Sequence, residues 1–118
     1  MNQSETLLKE IYLKLKKHFT TLKINAHYKY KNQDFELDLV GIRKRKIIAF
    51  EFKESPARIV KSRKQLENFE KALKKPVRKF FINPFEIINL NTGRRLSLNE
   101  FLTNPENFLD EIYKEENY

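Results

Sequence analysis

"FELDLVGIRKRKIIAFEFKES", Phe35 to Ser55, decides how this chain folds. Two apolar runs flank four consecutive bases, Arg43 to Lys46, so the stretch reads as two β-strands joined by a basic hairpin turn. Both runs are apolar on both faces, which predicts a hairpin in the middle of a sheet covered on each side. On an extended chain alternate residues share a face: Phe35, Leu37 and Leu39 on one, Glu36, Asp38, Val40 and Ile42 on the other. In the second run Glu51 and Lys53 leave one face while Phe50 and Phe52 leave the other. A turn at Arg43 to Lys46 brings Asp38 and Glu51 near one another across adjacent strands, with Lys53 beside them. A solvent face would also explain Glu51 and Lys53. Ile47 and Ala49 share that face, however, as Val40 and Ile42 share the face of Asp38, and this favours a site over a surface.

Working outward, "SETLLKEIYLKLKKHF" places Leu8, Ile11, Tyr12, Leu15 and Phe19 three and four residues apart, which predicts an amphipathic helix over residues 4–19. "INAHYKYK" reads as a strand, with a turn at Asn32-Gln33-Asp34. Ser55-Pro56 is a helix start, Ser as cap and Pro at the first position. Val60, Leu66, Phe69 and Leu73 supply its apolar stripe, and Pro76 stops it. "VRKFFIN" is a further strand, and "EIINLNTGRRLSL" a hairpin around Asn91-Thr92-Gly93. "NPENFLDEIYKEE" reads as a closing helix capped by Asn104.

At 118 residues the chain is long enough for one domain with one core, residues 1–118, and too short for two. Hydrophobic residues are 40% of it, with ten Phe and no Trp, so a compact Phe-rich core is expected. The formal net charge of +8 favours a polyanionic partner. Five acids and one base from Asn104 onward give that tail −4, so residues 1–103 carry +12 and the two parts sum to +8. Without cysteine there is no disulfide, thiolate nucleophile or cysteine-held zinc, and two histidines make a nitrogen-rich metal site an unpromising expectation. A metal in this chain should be hard and bound by oxygen. No apolar run approaches a membrane span or a signal peptide, so a cytoplasmic protein without membrane association is expected.

Two converging carboxylates and an ammonium suit phosphodiester hydrolysis. Hard oxygen ligands hold magnesium, the ion polarises phosphate and acidifies water, and a lysine orients that water or offsets developing charge. Without a cation the paired carboxylates would oppose each other's ionisation.

"ELDLVGI" followed by "IIAFEFKES" sets one Asp thirteen positions before a Glu-x-Lys. This arrangement resembles the PD-(D/E)XK nuclease superfamily, which includes restriction endonucleases and archaeal Holliday junction resolvases. The likeness spans about residues 4–84, where the order helix, three strands, helix, strand is similar to that superfamily's core; Leu37 stands where the motif's name has Pro. The resemblance implies a restriction endonuclease-like α/β core, a central mixed β-sheet flanked by helices (αβββαβ), followed by a carboxyl-terminal hairpin and helix. It implies a DNA endonuclease, structure-selective in the manner of junction-resolving members, dependent on magnesium (Mg2+) with manganese (Mn2+) as a substitute. Asp38 and Glu51 would be metal ligands, the Phe52 carbonyl a further ligand, and Lys53 the catalytic lysine.

Many members add a Glu from the first helix, and both Glu5 and Glu10 qualify. At about 100° per residue Glu5 lies roughly 60° from Leu8 and Glu10 roughly 160°, so Glu5 is the choice. Glu5 also stands three residues after Asn2, the spacing of a capping arrangement. Many members place a polar residue past the Glu-x-Lys strand, and Gln65 suits that role. Arg43, Lys44, Arg45 and Lys46 are either a solvated hairpin tip or phosphate contacts. Arg58, Lys61, Arg63 and Lys64 are expected to meet a nucleic-acid backbone. A homodimer is expected by likeness to the superfamily, and "EFLTNPENFLDEIY" would either form its interface or close the core. A non-catalytic nucleic-acid-binding module of the same fold is the competing expectation, and a ribonuclease a third.

Overall fold

The computed structural model describes residues 3–115, so the proposed cap at Asn2 lies outside the described residues. Helix α1 (Gln3–Leu15) continues into a single 3-10 turn, Lys16–His18, so the helical pattern ends a turn earlier than its spacing suggested. Its stripe of Leu8, Ile11 and Leu15 is buried, and Phe19 follows it into the same core. Strands β1 (Thr21–Tyr30), β2 (Gln33–Arg43) and β3 (Lys46–Phe52) form an antiparallel meander. Helix α2 (Ile59–Leu73) crosses back to β4 (Val77–Ile82), which pairs with β3 in parallel. Strands β5 (Glu86–Asn89) and β6 (Arg95–Ser97) complete a mixed sheet in the order β1-β2-β3-β4-β5-β6. Helices α3 (Leu98–Thr103) and α4 (Pro105–Glu115) end the described chain.

The hairpin from Phe35 to Ser55 is central, as its two-faced apolarity required. β3 lies between β2 and β4, and its residues point alternately into two cores. Ile48, Phe50 and Phe52 join Phe80 and Ile82 against α1, α3 and α4; Ala49 joins Phe81 and Val77 against Leu66 and Phe69 of α2. Phe50 stacks on Phe80 at 5.2 Å and meets Phe19 edge-on at 6.1 Å, arrangements that aromatic quadrupoles favour.

Ser55 caps the entry to α2 as expected, its hydroxyl accepting from the Ala57 amide, although one 3-10 turn (Pro56–Arg58) precedes the α-helix proper. Both hairpin turns in the meander use two non-glycine residues at positive φ, Lys31-Asn32 and Lys44-Arg45, the sign pattern that matches strand twist. The first turn therefore closes one residue before the expected Asn32–Asp34, and Gln33 and Asp34 already belong to β2. Helix α3 was not expected, and only its first residue, Leu98, falls within the expected hairpin; Ser97 caps it by accepting from the Glu100 amide at 3.1 Å. Phe101, Phe108, Leu109 and Ile112 are all buried, so "EFLTNPENFLDEIY" closes the core rather than offering these residues to a second subunit. Among the described residues no helix is long and apolar enough to cross a membrane.

Gly41 is where the meander folds tightly under α1. A Cβ there would lie 2.6 Å from Phe19 Cδ2 and 2.8 Å from the Thr21 carbonyl oxygen, and the paired backbone has no room to retreat. Gly41→Ala should therefore lower stability by about 1–3 kcal/mol, read as a reduced urea midpoint with an unchanged slope.

Candidate active site

The sheet opens at Asp38. The β1–β2 register runs Ile24↔Leu39 and then Ala26↔Leu37, omitting the pair Asn25/Asp38, and Asn25 has φ +54. The β2–β3 register ends at Leu39↔Phe50, so Asp38 is unpaired with Glu51 as well. Strand faces exchange at this point. Leu39 packs with the α1 core while Leu37, two residues away, packs with Leu66 and Phe69 under α2. The expectation that Phe35, Leu37 and Leu39 share one face is thus corrected: strict alternation requires unbroken extended backbone, and the left-handed Asn25 interrupts it beside Asp38.

Side chains replace the missing ladder bonds. The Phe52 amide donates to Asp38 Oδ2 at 2.7 Å, and the Asp38 amide donates to Glu51 Oε1 at 3.1 Å. The two carboxylates are thereby held in one fork between β2 and β3. Lys53 Nζ stands 3.6 Å from Glu51 Oε2 with its side chain 29% exposed, and the Lys53 amide is fixed to the Ile82 carbonyl at 3.0 Å. The sequence-predicted set of Asp38, Glu51, Phe52 and Lys53 is therefore brought together.

The fork is electrostatically unfavourable for anions alone. Glu51 is 1% exposed, and burial followed by the charge of Asp38 pushes its carboxyl up to about 8. Asp38 is also raised, by burial, against the opposing effects of the Phe52 amide and Lys53. Tyr28 reaches the same place from β1. Its hydroxyl donates to the Gln65 carbonyl at 3.3 Å, and burial together with the charge of Glu51 raises its pKa. Its ring stacks on Phe35 and meets Phe69 edge-on. Gln65 sits on the flank of α2 toward this hairpin, and its Oε1, like the hydroxyl of fully buried Ser62 one turn earlier, is buried without a protein partner. Sequence reasoning missed Tyr28 and Ser62. The first is hidden by the face exchange; the second was visible as a small polar residue within the apolar stripe of α2.

Other predicted residues fall elsewhere. Glu5 is exposed on α1, and among the described residues no group of three His, Asp or Glu side chains is placed to hold a metal ion, so Glu5 does not join Asp38 and Glu51. Arg43 is corrected outright as a phosphate contact. It is 4% exposed, donates to Asp110 at 2.6 Å and to the His18 carbonyl at 3.1 Å, and lies against the Tyr113 ring. As an odd-numbered residue beyond the face exchange, it points under α4. Lys44 shares Asp110 at 3.2 Å while staying largely exposed. Arg45, Arg58, Lys61 and Lys64 are exposed and Lys46 is half-buried; Arg63, also exposed, turns to the Leu90 carbonyl on the opposite flank of α2.

The fold and the fork define an α/β protein whose mixed sheet carries a buried and a half-buried carboxylate and a lysine beside the end of a central strand. No family model, curated protein or solved structure matches the chain.

Proposed function

We propose that this chain is a divalent-metal-dependent nuclease of the PD-(D/E)XK type, with a restriction endonuclease-like core, that hydrolyses phosphodiester bonds in DNA. One observation carries the reading: the sheet opens at Asp38 so that its carboxylate and that of Glu51 share a fork beside Lys53. The order of α1, three antiparallel strands, α2 and a parallel β4 supports it, being similar to that superfamily's core.

The residues present fit a hard cation. Two carboxylates whose ionisation is opposed by burial, that of Glu51 also by the charge of Asp38 and that of Asp38 also by the charge of Glu36, form a site deficient in positive charge. Asp38, Glu51 and the Phe52 carbonyl would hold magnesium, or manganese in its place. When bound, such an ion polarises phosphoryl oxygen and acidifies water. The chain's own residues do the rest. The Phe52 amide orients Asp38, the Asp38 amide orients Glu51, and neither carboxylate can swing away without leaving a buried amide unpaired. Lys53, partly exposed, presents its ammonium toward an arriving phosphodiester and offsets negative charge as it develops. Gln65 is anchored through its carbonyl to Tyr28, which the charge of Glu51 also reaches.

Purified protein incubated with duplex, single-stranded and branched DNA, and with RNA, should cleave DNA with magnesium or manganese and stop with EDTA. Cleavage that ignores EDTA would overturn the reading. Binding to DNA with no cleavage under either metal would favour the non-catalytic module.

A further inference from the structure

Phe85 stands apart from the other aromatic residues. Eight of the ten phenylalanines are buried, Phe35 is half-buried against Tyr28, and Phe85 is 71% exposed. Among the described residues it is the one exposed aromatic ring, since Tyr12, Tyr28, Tyr30 and Tyr113 are half-buried. It belongs to the turn between β4 and β5, which begins beside Lys53: the Lys53 amide is bonded to the carbonyl of Ile82, the last residue of β4. We propose that Phe85 is a stacking platform for an unpaired base, so that the fork takes DNA with unpaired nucleotides close to the scissile phosphate rather than a fully paired duplex. The proposal rests on the nucleic-acid reading above and names the substrate class of that same site.

A single apolar side chain in water is ordinary, and Leu13, Ile42, Val60 and Leu73 are such cases, all aliphatic and all within helices or a strand. Phe85 differs in how firmly it is presented. Buried Asn83 accepts at its Oδ1 from the Phe85 amide at 2.8 Å and the Glu86 amide at 3.1 Å, while its own amide donates to the Glu86 carbonyl at 3.0 Å. The Phe85 carbonyl accepts from the Leu98 amide, also at 3.0 Å, where α3 begins. Pro84, just before, has its φ fixed by its ring. Both backbone polar groups of Phe85 are thus committed, and a ligand that stacks on the ring loses little to ordering the chain. The neighbouring Glu86 carboxylate is held by Arg95 at 3.4 Å, so it does not stand as an unpaired charge against phosphate. An exposed benzene ring suits a flat π-system, which every nucleobase offers whatever the sequence. Within a duplex those faces are covered by neighbouring base pairs, so the ring is open to unpaired bases. From Ile82 to Phe85 the chain spans at most about 11 Å, and one strand spacing adds about 5 Å. Phe85 therefore lies within about 16 Å of Lys53, about five nucleotides of a stacked strand or fewer.

The test titrates fluorescent oligonucleotides in EDTA, where no cleavage intrudes, comparing a single strand with a duplex of the same sequence and length. Phe85→Ala should weaken single-strand binding by about 5–150-fold, the range of one base–aromatic stack, and duplex binding by less than about twofold. Phe85→Trp should keep the single-strand affinity, whereas Phe85→Leu, apolar without a π-face, should recover little of it. Because the side chain is exposed, each variant should keep the parent's urea midpoint. Equal losses on single strand and duplex, or an unchanged single-strand affinity, would overturn the proposal. So would a concentration-dependent dimer in sedimentation that Phe85→Ala dissolves, since a second copy would then be what covers the ring. Leu13→Ala removes exposed apolar surface from α1 and should change neither affinity. A loss there that matches Phe85→Ala would reduce the effect to apolar surface in general and overturn the assignment. The comparisons need no metal, so they stand whether or not the parent cleaves. Unchanged single-strand affinity in a protein that cleaves DNA fails the stack alone, and a stack in a protein that never cleaves fails the hydrolytic reading alone.

Discussion

Lys53→Ala should reduce metal-dependent DNA cleavage by about 10²–10⁴-fold while leaving the protein folded, and Asp38→Ala should reduce it at least as far. The two losses have different physical origins, and their accompanying measurements should differ. Lys53 is partly exposed and its ammonium stands 3.6 Å from Glu51 Oε2. Its removal takes away positive charge at the place where negative charge develops, with little loss of packing. Thermal stability should stay close to that of the parent, and magnesium should still bind, seen by calorimetry. Asp38 instead bonds the amide of buried Phe52 at 2.7 Å, so truncation leaves that amide unpaired as well as removing a ligand. Stability should fall by about 1–3 kcal/mol, and magnesium binding should weaken together with cleavage. Cleavage that survives both substitutions would remove the fork from the chemistry. An activity loss in Lys53→Ala matched by an equal loss of metal binding would remove the lysine's separate role.

How far the sequence discloses this arrangement depends on the range of the interactions involved. The central hairpin was legible because two-sided apolarity is a local property of Phe35–Phe52, and the approach of Asp38 to Glu51 follows from the turn that joins their strands. The break at Asp38 was not. It depends on Asn25 adopting φ +54 on the neighbouring strand, and nothing within β2 itself announces an exchange of faces. Tyr28 was missed for the same reason, since its facing is set on the far side of that break. Arg43 lay in a run of four bases that reads as solvated, yet its partner Asp110 is 67 residues away, beyond the reach of any periodicity. Helix α3 was recoverable. Ser97 and Glu100 have the spacing of a helix start, but the apolar alternation of "RRLSL" claimed Ser97 and Leu98 for a strand. Contacts made within an element are thus visible in its pattern. Those made between distant elements, including the one that withdraws Arg43 from a polyanion, need the fold.

Without divalent metal, the protein should lose stability as pH rises from about 5 to about 8, and Glu51→Gln should abolish most of that loss. The Glu51 carboxyl is raised to about 8 in the folded chain, by burial first and by Asp38 second. Below the ordinary carboxylate range, both folded and unfolded chains hold the proton and Glu51 costs nothing. As pH rises through that range the unfolded chain releases the proton while the folded chain retains it. The unfolded state then binds fewer protons, and stability falls with pH until the folded carboxyl itself ionises near 8. The cost at the upper end is on the order of several kcal/mol, and Asp38, also raised, acts in the same direction. Glu70 and Asp110 do not cancel it. Burial raises them, but Lys79 with the Val77 amide, and Arg43 with Lys44, outweigh it and leave both lowered. Their stabilisation is fully present above the ordinary carboxylate range and is lost only as pH falls below it. Glutamine keeps an oxygen to accept from the Asp38 amide and carries no charge, so Glu51→Gln should be more stable than the parent at pH 8 in EDTA and nearly equal at pH 5. Magnesium at pH 8 should raise the parent's urea midpoint, since a cation relieves the repulsion that burial imposes, and should do little for Glu51→Gln. Urea unfolding across the pH series, with and without magnesium, reads all four arms. A parent flat from pH 5 to 8, or a Glu51→Gln variant weaker than the parent at pH 8 without metal, would show that the fork carries no such strain and gains nothing from a cation.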